Sequence, residues 1–361
     1  MRNLASIQQV RALHPIAGKD RIVLAEVLGW QVIVQKDEYK PGDKCIYVEV
    51  DSVLPEKPEF EFLRKKDFRI KTMKMGGVIS QGICFPLSIL PPGNYEVGDD
   101  VTGIIGVVKY DEYAVKADNK APKSRLRQFM FRHRLTRPLA RLIWSPTKRE
   151  RDGFPDFVAK TDETRIQNMP ALLQNKEVRW VGREKIDGQS GTFFLRRIRS
   201  VFPFLPCRYD FGVCSRNLRL VSPDASAHWA VAEKYRMKEV LQELIGDHDW
   251  VCIQGEVIGP KVQGNKYHVS EPDLYCFNLI YPTGKVPCSE AEVLVGEHGL
   301  KWVPLVVDGY VLPDTVPELI DFATGHSALY PDLREGVVFR NYETGRSFKA
   351  VSNEFLLKHK L

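Results

Sequence analysis

Lys185 stands in the run Glu184-Lys185-Ile186-Asp187-Gly188. A lysine amine can attack phosphorus, but only after losing a proton it ordinarily holds up to pH ~10. Burial or a neighbouring cation lowers that threshold. Asp187, two residues on, projects to the same side of an extended chain. Gly188 lets a ligand approach the backbone closely. Alone, Lys-x-Asp-Gly suits a surface turn as well as a reactive site. Further groups follow in order: Ser215-Arg216-Asn217, Gln254-Gly255-Glu256, Tyr275-Cys276-Phe277-Asn278, Arg334-Glu335-Gly336 and Ser347-Phe348-Lys349-Ala350. Cations spread the charge of phosphate oxygens in phosphoryl transfer. Carboxylates such as Glu256 and Glu335 can hold Mg²⁺ directly or through water. Each residue also has an ordinary alternative: a surface lysine, a salt bridge, a solvated arginine or, for Phe277, a core aromatic.

Strands must position these groups. Val- and Ile-rich runs at 21–28, 31–35, 44–50, 78–85 and 101–109 predict short strands separated by turn residues such as Pro41-Gly42-Asp43 and Val97-Gly98-Asp99. Five strands in 1–110 suit a small barrel of oligonucleotide-binding (OB) type, with an SH3-like barrel as the alternative. Within it, Arg69-Ile70-Lys71-Thr72-Met73-Lys74 alternates basic and apolar residues. Arg69 and Lys71 would share one strand face, and with Lys74 could track a phosphate backbone or lie on an exposed polar face. From 154 to 361 the pattern is mixed. Strands at 190–197, 250–258, 274–280 and 336–340 and a helix over 225–244 predict an α+β domain on an antiparallel sheet.

Between them lies a basic connector at 111–153. Residues 116–151 hold twelve Lys/Arg and two acids, a net +10 in a chain of net +6. A solvated linker, a nucleic-acid contact and a membrane surface all fit such a block. Pro122 and Pro138 bracket a helix expected over 125–137. The 361 residues suffice for about two domains. No apolar run is long enough for a membrane helix. Seven scattered cysteines without a Cys-x-x-Cys pair predict neither a zinc site nor a disulfide framework, and a reducing, cytoplasmic compartment is expected.

The ordered series from Lys185 to Lys349 resembles the motifs of the covalent nucleotidyltransferase superfamily: DNA ligases, RNA ligases and mRNA capping enzymes. DNA ligases and capping enzymes place an OB domain after the last motif; here the barrel precedes the first. That order is similar to small ATP-dependent RNA ligases with an N-terminal OB domain. The segment 160–168 and Gly77-Val78-Ile79-Ser80-Gln81-Gly82 resemble the same family. The resemblance implies that Lys185 attacks the α-phosphate of ATP, that AMP passes to an RNA 5′-phosphate, and that a 3′-hydroxyl then displaces AMP.

It further implies roles for single residues. Lys349 would contact the α-phosphate. Glu256 and Glu335 would hold Mg²⁺ or Mn²⁺, a role that Asp187 would share. Arg216 and Asn217 would contact ribose and phosphate, Phe277 would stack on adenine, and Glu184 would contact the base. Relatives often carry Lys-x-Lys in the last motif; Ser347 stands first here, beside Arg346. Either Arg346 substitutes or the site has one cation fewer. The expected partner is RNA, as a nicked duplex, free ends or an RNA/DNA hybrid, and the expected state is a monomer. Two alternatives are an RNA-binding OB protein with an inactive nucleotidyltransferase domain and a capping-type guanylyltransferase.

Overall fold

The computed structural model describes residues 3–110, 152–198, 207–220 and 226–361. The basic block at 116–151, with its expected helix, lies outside the described residues.

The N-terminal strands are β1 (Ala5–Ile16), β2 (Lys19–Val27), β3 (Trp30–Gln35), β4 (Lys44–Val48), β5 (Ser52–Val53), β6 (Arg69–Ile70), β7 (Met73–Met75), β8 (Val78–Ser80), β9 (Ile83–Phe85) and β10 (Val108–Lys109). Alternation builds them: Trp30, Val32 and Val34 of β3 are buried, and the residues between them are not. A five-stranded antiparallel sheet runs β3-β2-β1-β4-β9, a short one runs β10-β5-β6, and β7 and β8 form a hairpin. β1 serves two partners. Ala5–Gln9 pairs with β4 and Val10–Ile16 with β2, with a register shift between Val10 and Ala12. Such a bulge bends a strand, which curls the sheet towards a barrel. One apolar core, including Ile7, Trp30, Ile46, Tyr47 and Phe60, fills it.

Two expected strands differ. The run 78–85 is broken at Gln81-Gly82, where Gly82 adopts φ 92°. The run 101–109 starts as a helical turn, α1 (Thr102–Ile105), ended by Gly106 at φ 87°. The Thr102 amide donates to Asp100 Oδ1, a local bond that competes with strand pairing.

The second half contains β11 (Asp152–Gly153), β12 (Trp180–Lys185), β13 (Gln189–Ile198), β14 (Arg208–Cys214), β15 (Leu218–Arg219), β16 (Trp250–Ile258), β17 (Asp273–Tyr281), β18 (Gly284–Lys285), β19 (Lys301–Trp302), β20 (Leu305–Tyr310), β21 (Gly336–Arg340) and β22 (Ser347–Val351). The large sheet runs β11-β15-β14-β13-β16-β17-β18, with β19 parallel to β17. The smaller runs β20-β12-β21-β22. Helices α2 (Ala227–Lys234) and α3 (Met237–Leu244) pack on the large sheet, and α4 (Cys288–Gly296) covers β17 and β19. The single helix expected over 225–244 is two, divided where Arg236 takes φ 47°. α5 (Val316–Ala323) packs on the small sheet, and α6 (Asn353–His359) follows β22. The whole is α+β, as expected.

The barrel rests on the segment that leads into β12. The Gly29 amide donates to Gln167 O at 2.9 Å. A Cβ on Gly29 would lie 3.0 Å from both Cα and O of Gln167, so the two backbones leave no room for a side chain. Trp30 Nε1 donates to Asn168 Oδ1 at 2.5 Å, and Arg165 pairs with Asp51 at 3.1 Å. The same segment reaches β22, because the Lys349 amide donates to Thr164 O at 2.8 Å.

Candidate active site

Lys185 ends β12, and its register partner is Gly336, the residue after Glu335. Lys185 Nζ therefore meets Glu335 Oε2 at 2.6 Å. Across the cleft, Glu256 of β16 accepts the Gly188 amide at 3.0 Å. A Cβ on Gly188 would collide with the Val257 carbonyl. The glycine is thus required by the neighbouring strand, where a ligand's approach was expected. Asp187 donates its amide to Tyr267 Oη at 2.8 Å, and its carboxylate pairs with Lys266.

This half of the cleft is rich in acid. Burial pulls the Lys185 ammonium down, but Glu335, Glu256 and Asp187 outweigh it and leave the pKa above the ordinary value. Burial pushes Glu256 up to about 8, with Glu335 and Asp187 adding to it and Lys185 opposing. Glu335 is raised by burial and by Asp187, against the pull of Lys185 and Lys349. Carboxylates that hold their protons this firmly are short of positive charge. An all-oxygen donor set of this kind suits Mg²⁺ or Mn²⁺. Among the described residues, no three His, Cys, Asp or Glu side chains already converge as a metal cage. Coordination completed by water and substrate phosphate fits that arrangement.

The second half is centred on Asp162. Its carboxylate lies 2.8 Å from Lys109, 3.2 Å from Arg216 and 3.4 Å from Lys349. Burial raises its pKa, yet the three cations outweigh that and hold it well below the ordinary carboxylate range. They come from β10 of the barrel, the β14–β15 turn and β22. Next to them, Lys160 donates to Asn217 Oδ1 at 3.4 Å.

The first position of the last motif faces an acid. Ser347 donates to Glu163 Oε2 at 2.5 Å, and Arg346 is exposed. Across the β21–β22 ladder, Ser347 faces Arg340. Arg340 pairs with the other oxygen of Glu163 at 3.5 Å and donates to Phe277 O at 2.6 Å and Asn278 Oδ1 at 2.8 Å. The cation nearest Ser347 in the ladder is therefore Arg340, and it ties the two sheets together beside Phe277.

Phe277 is half-buried on β17. Glu184 is buried, and its carboxylate accepts from Ser327 Oγ at 2.5 Å and the Ala328 amide at 2.8 Å. The cleft gathers Lys185, Asp187, Glu256 and Glu335 on one side and Lys349, Arg216 and Asn217 on the other. The three basic residues of the barrel are placed apart. Arg69 is mostly buried, stacked 3.5 Å from the centre of the Tyr110 ring and 3.8 Å from Asp51. Lys71 donates to Lys360 O at 3.0 Å, and Lys74 is exposed on the β7–β8 hairpin. Sequence reasoning singled out the segment 160–168 without giving Asp162 a role, and missed Lys109, Arg340, Lys266 and Tyr267. Only the register that puts Arg340 opposite Ser347 carried a usable signal.

A family model described as an OB-fold domain matches residues 4–87, and one described as RNA ligase matches residues 178–351. Among solved structures, Naegleria gruberi RNA ligase with PPi is 30% identical, with a TM-score of 0.79 over 100% of this chain and 99% of that one. A mutant of the same enzyme with ATP and Mn is also 30% identical, with a TM-score of 0.79 over 99% and 98%. The chain belongs to the RNA ligase family. Among curated protein sequences, none matches it. In this RNA ligase the curled N-terminal sheet is an OB-fold domain, so the SH3-like alternative falls. Among the described residues, no helix is long and apolar enough to cross a membrane.

Proposed function

We propose that this RNA ligase is ATP-dependent and joins a 3′-hydroxyl to a 5′-phosphate through a covalent lysyl–AMP on Lys185. The observation that carries the reading is the pairing of Lys185 with Glu335 inside an acidic cluster, next to a separate cluster of cations. Lys185 Nζ forms a bond to the α-phosphorus of ATP as the bond to the β-phosphate oxygen breaks and pyrophosphate leaves. An oxygen of the RNA 5′-phosphate next attacks that phosphorus, and the P–N bond breaks as the lysine recovers its proton. Finally the 3′-oxygen attacks the 5′-phosphorus and AMP departs.

The residues divide this work by charge. Glu335 holds the Lys185 ammonium beside its target, and before attack the ammonium must give a proton to solvent and leave the carboxylate. A divalent cation bound by Glu256, Glu335 and Asp187 would supply the positive charge that this release requires. Lys349 and Arg216, with Lys109 from the barrel, hold phosphate oxygens once the nucleotide takes the place of Asp162. Phe277 offers a stacking face for adenine, with Arg340 fixing its backbone. Asn217 and buried Glu184 shape the pocket on the nucleoside side. Residues 1–110 hold RNA and lend Lys109 to the nucleotide site, 111–153 connect, and 154–361 adenylate.

Incubation with α-labelled ATP and Mg²⁺ or Mn²⁺ tests the reading. A label that survives denaturation and is lost in acid identifies the phosphoramidate, and Lys185→Ala should abolish it. Covalent label at the wild-type level in that variant would remove Lys185 from the mechanism.

A further inference from the structure

The loop between β16 and β17 approaches the reactive lysine and has no role in the scheme above. Three of its non-glycine residues adopt left-handed backbone: Gln263 at φ 44°, Asn265 at 53° and His268 at 50°. Side chains seldom take that conformation, and it persists where the surroundings enforce it. Asn265 enforces it here. Its Nδ2 donates to Val269 O at 3.0 Å, and its Oδ1 accepts the Val269 amide at 3.1 Å. The result is that two consecutive residues, Lys266 and Tyr267, both reach Asp187. Tyr267 Oη accepts the Asp187 amide, and Lys266 pairs with the Asp187 carboxylate. All three side chains are largely shielded, with Lys266 18% and Asp187 13% exposed. Lys266 Nζ also lies 5.5 Å from the centre of the Phe355 ring, which closes off its other side.

We propose that Lys266 and Tyr267 are positioning residues that set the Lys185-Ile186-Asp187-Gly188 turn for attack on ATP. Tyr267 fixes the backbone of Asp187, and Lys266 fixes its carboxylate. Lys266 also balances charge. Without it, the Asp187 carboxylate would lose its paired ammonium beside Glu256 and Glu335. A pair shielded from solvent keeps its geometry in a way that an exposed pair does not. Lys266 acts through Asp187, so its removal changes the speed of the bound enzyme and not its hold on the nucleotide.

The inference rests on Lys185 as the nucleophile, and the test separates the two claims. Single-turnover adenylate formation is measured across ATP concentrations for the full chain and for Lys266→Met, Lys266→Arg, Tyr267→Phe and Lys185→Ala. Lys266→Met should lower the saturated rate about tenfold or more and leave the ATP concentration at half-rate within about twofold, since misplacement of a reacting group acts on the chemical step. Lys266→Arg should recover most of the loss. If Lys266→Met does not fold, Tyr267→Phe reads the same turn through its backbone and should also slow the saturated rate. Wild-type rates in Lys266→Met and Tyr267→Phe, with Lys185→Ala inactive, would overturn this inference and leave the nucleophile standing. A weakened half-rate concentration at unchanged saturated rate would overturn it too, by making Lys266 a nucleotide contact. Adenylate formed by Lys185→Ala would defeat the nucleophile itself.

Discussion

Two clusters share one cleft with opposite balances of charge. Around Lys185 an ammonium lies among carboxylates; around Asp162 a carboxylate lies among ammonium and guanidinium groups. Each centre has its charged form favoured by its neighbours, although burial alone would disfavour it. The difference teaches what each half lacks. On the function proposed above, a divalent cation would offset the acids of the first, and ATP phosphates would meet the cations of the second.

The contrast breaks most sharply at Glu335. Glu335→Gln removes the partner of Lys185 and one acid from the first cluster. We expect lysyl–AMP formation to fall ~10²–10³-fold, the usual range for deleting one electrostatic contact to a transition state. A normal rate in a folded variant, by the labelling assay, would make that carboxylate structural. Asp162→Asn sharpens the second half. Asp162 competes with phosphate for Lys109, Arg216 and Lys349, so the variant should lower the KM for ATP a few-fold and make it more sensitive to salt. A raised KM would show that Asp162 is needed more to organise the cations than it hinders the nucleotide.

A smaller effect separates the clusters by pH. The Glu256 carboxyl is pushed up to about 8, above its ordinary ~4.3. The folded protein therefore binds that proton more tightly than the unfolded one. The stability it contributes is complete below pH ~4 and is lost as pH rises through about 8. Metal-free Glu256→Gln should consequently melt at a higher temperature than the parent at pH 9, and at nearly the same temperature at pH 4. Equal melting curves at pH 9 would show that Glu256 ionises without hindrance. The smallest effect is expected away from the cleft. Lys74 is exposed on its hairpin, so Lys74→Ala should leave adenylate formation unchanged and flatten the decline of nick sealing between ~50 and ~200 mM salt by about one phosphate contact. An unchanged slope would take Lys74 off the RNA path.

The acidic half was legible in the sequence because its residues head recognisable motifs in fixed order. Lys185 lies within reach of the charges of Asp187, Glu256 and Glu335. The cationic half was legible only in part. Lys349 and Arg216 could be given roles, but Asp162 only a place in the segment 160–168, since its three partners lie at positions 109, 216 and 349 and share no local pattern. The same reason hides Lys266, which acts through a loop whose shape depends on the Asn265 clamp. Arg69 teaches the converse. The strand expected to align it with Lys71 ends at Ile70, and Arg69 turns onto Tyr110 and Asp51. Periodicity gives the side of a strand and not what lies over it. Lys109 also brings the barrel to the same carboxylate as Lys349.

Gly29 bears on how such a protein could be recombined. The barrel meets the ligase sheet along a seam the width of a bare backbone, and that seam continues through Thr164 to the strand carrying Lys349. A foreign barrel grafted onto this ligase would have to present a glycine at the seam or push the segment 164–168 outward, and Lys349 would move with it. The two halves are separate in sequence pattern, yet as parts for exchange they form one piece.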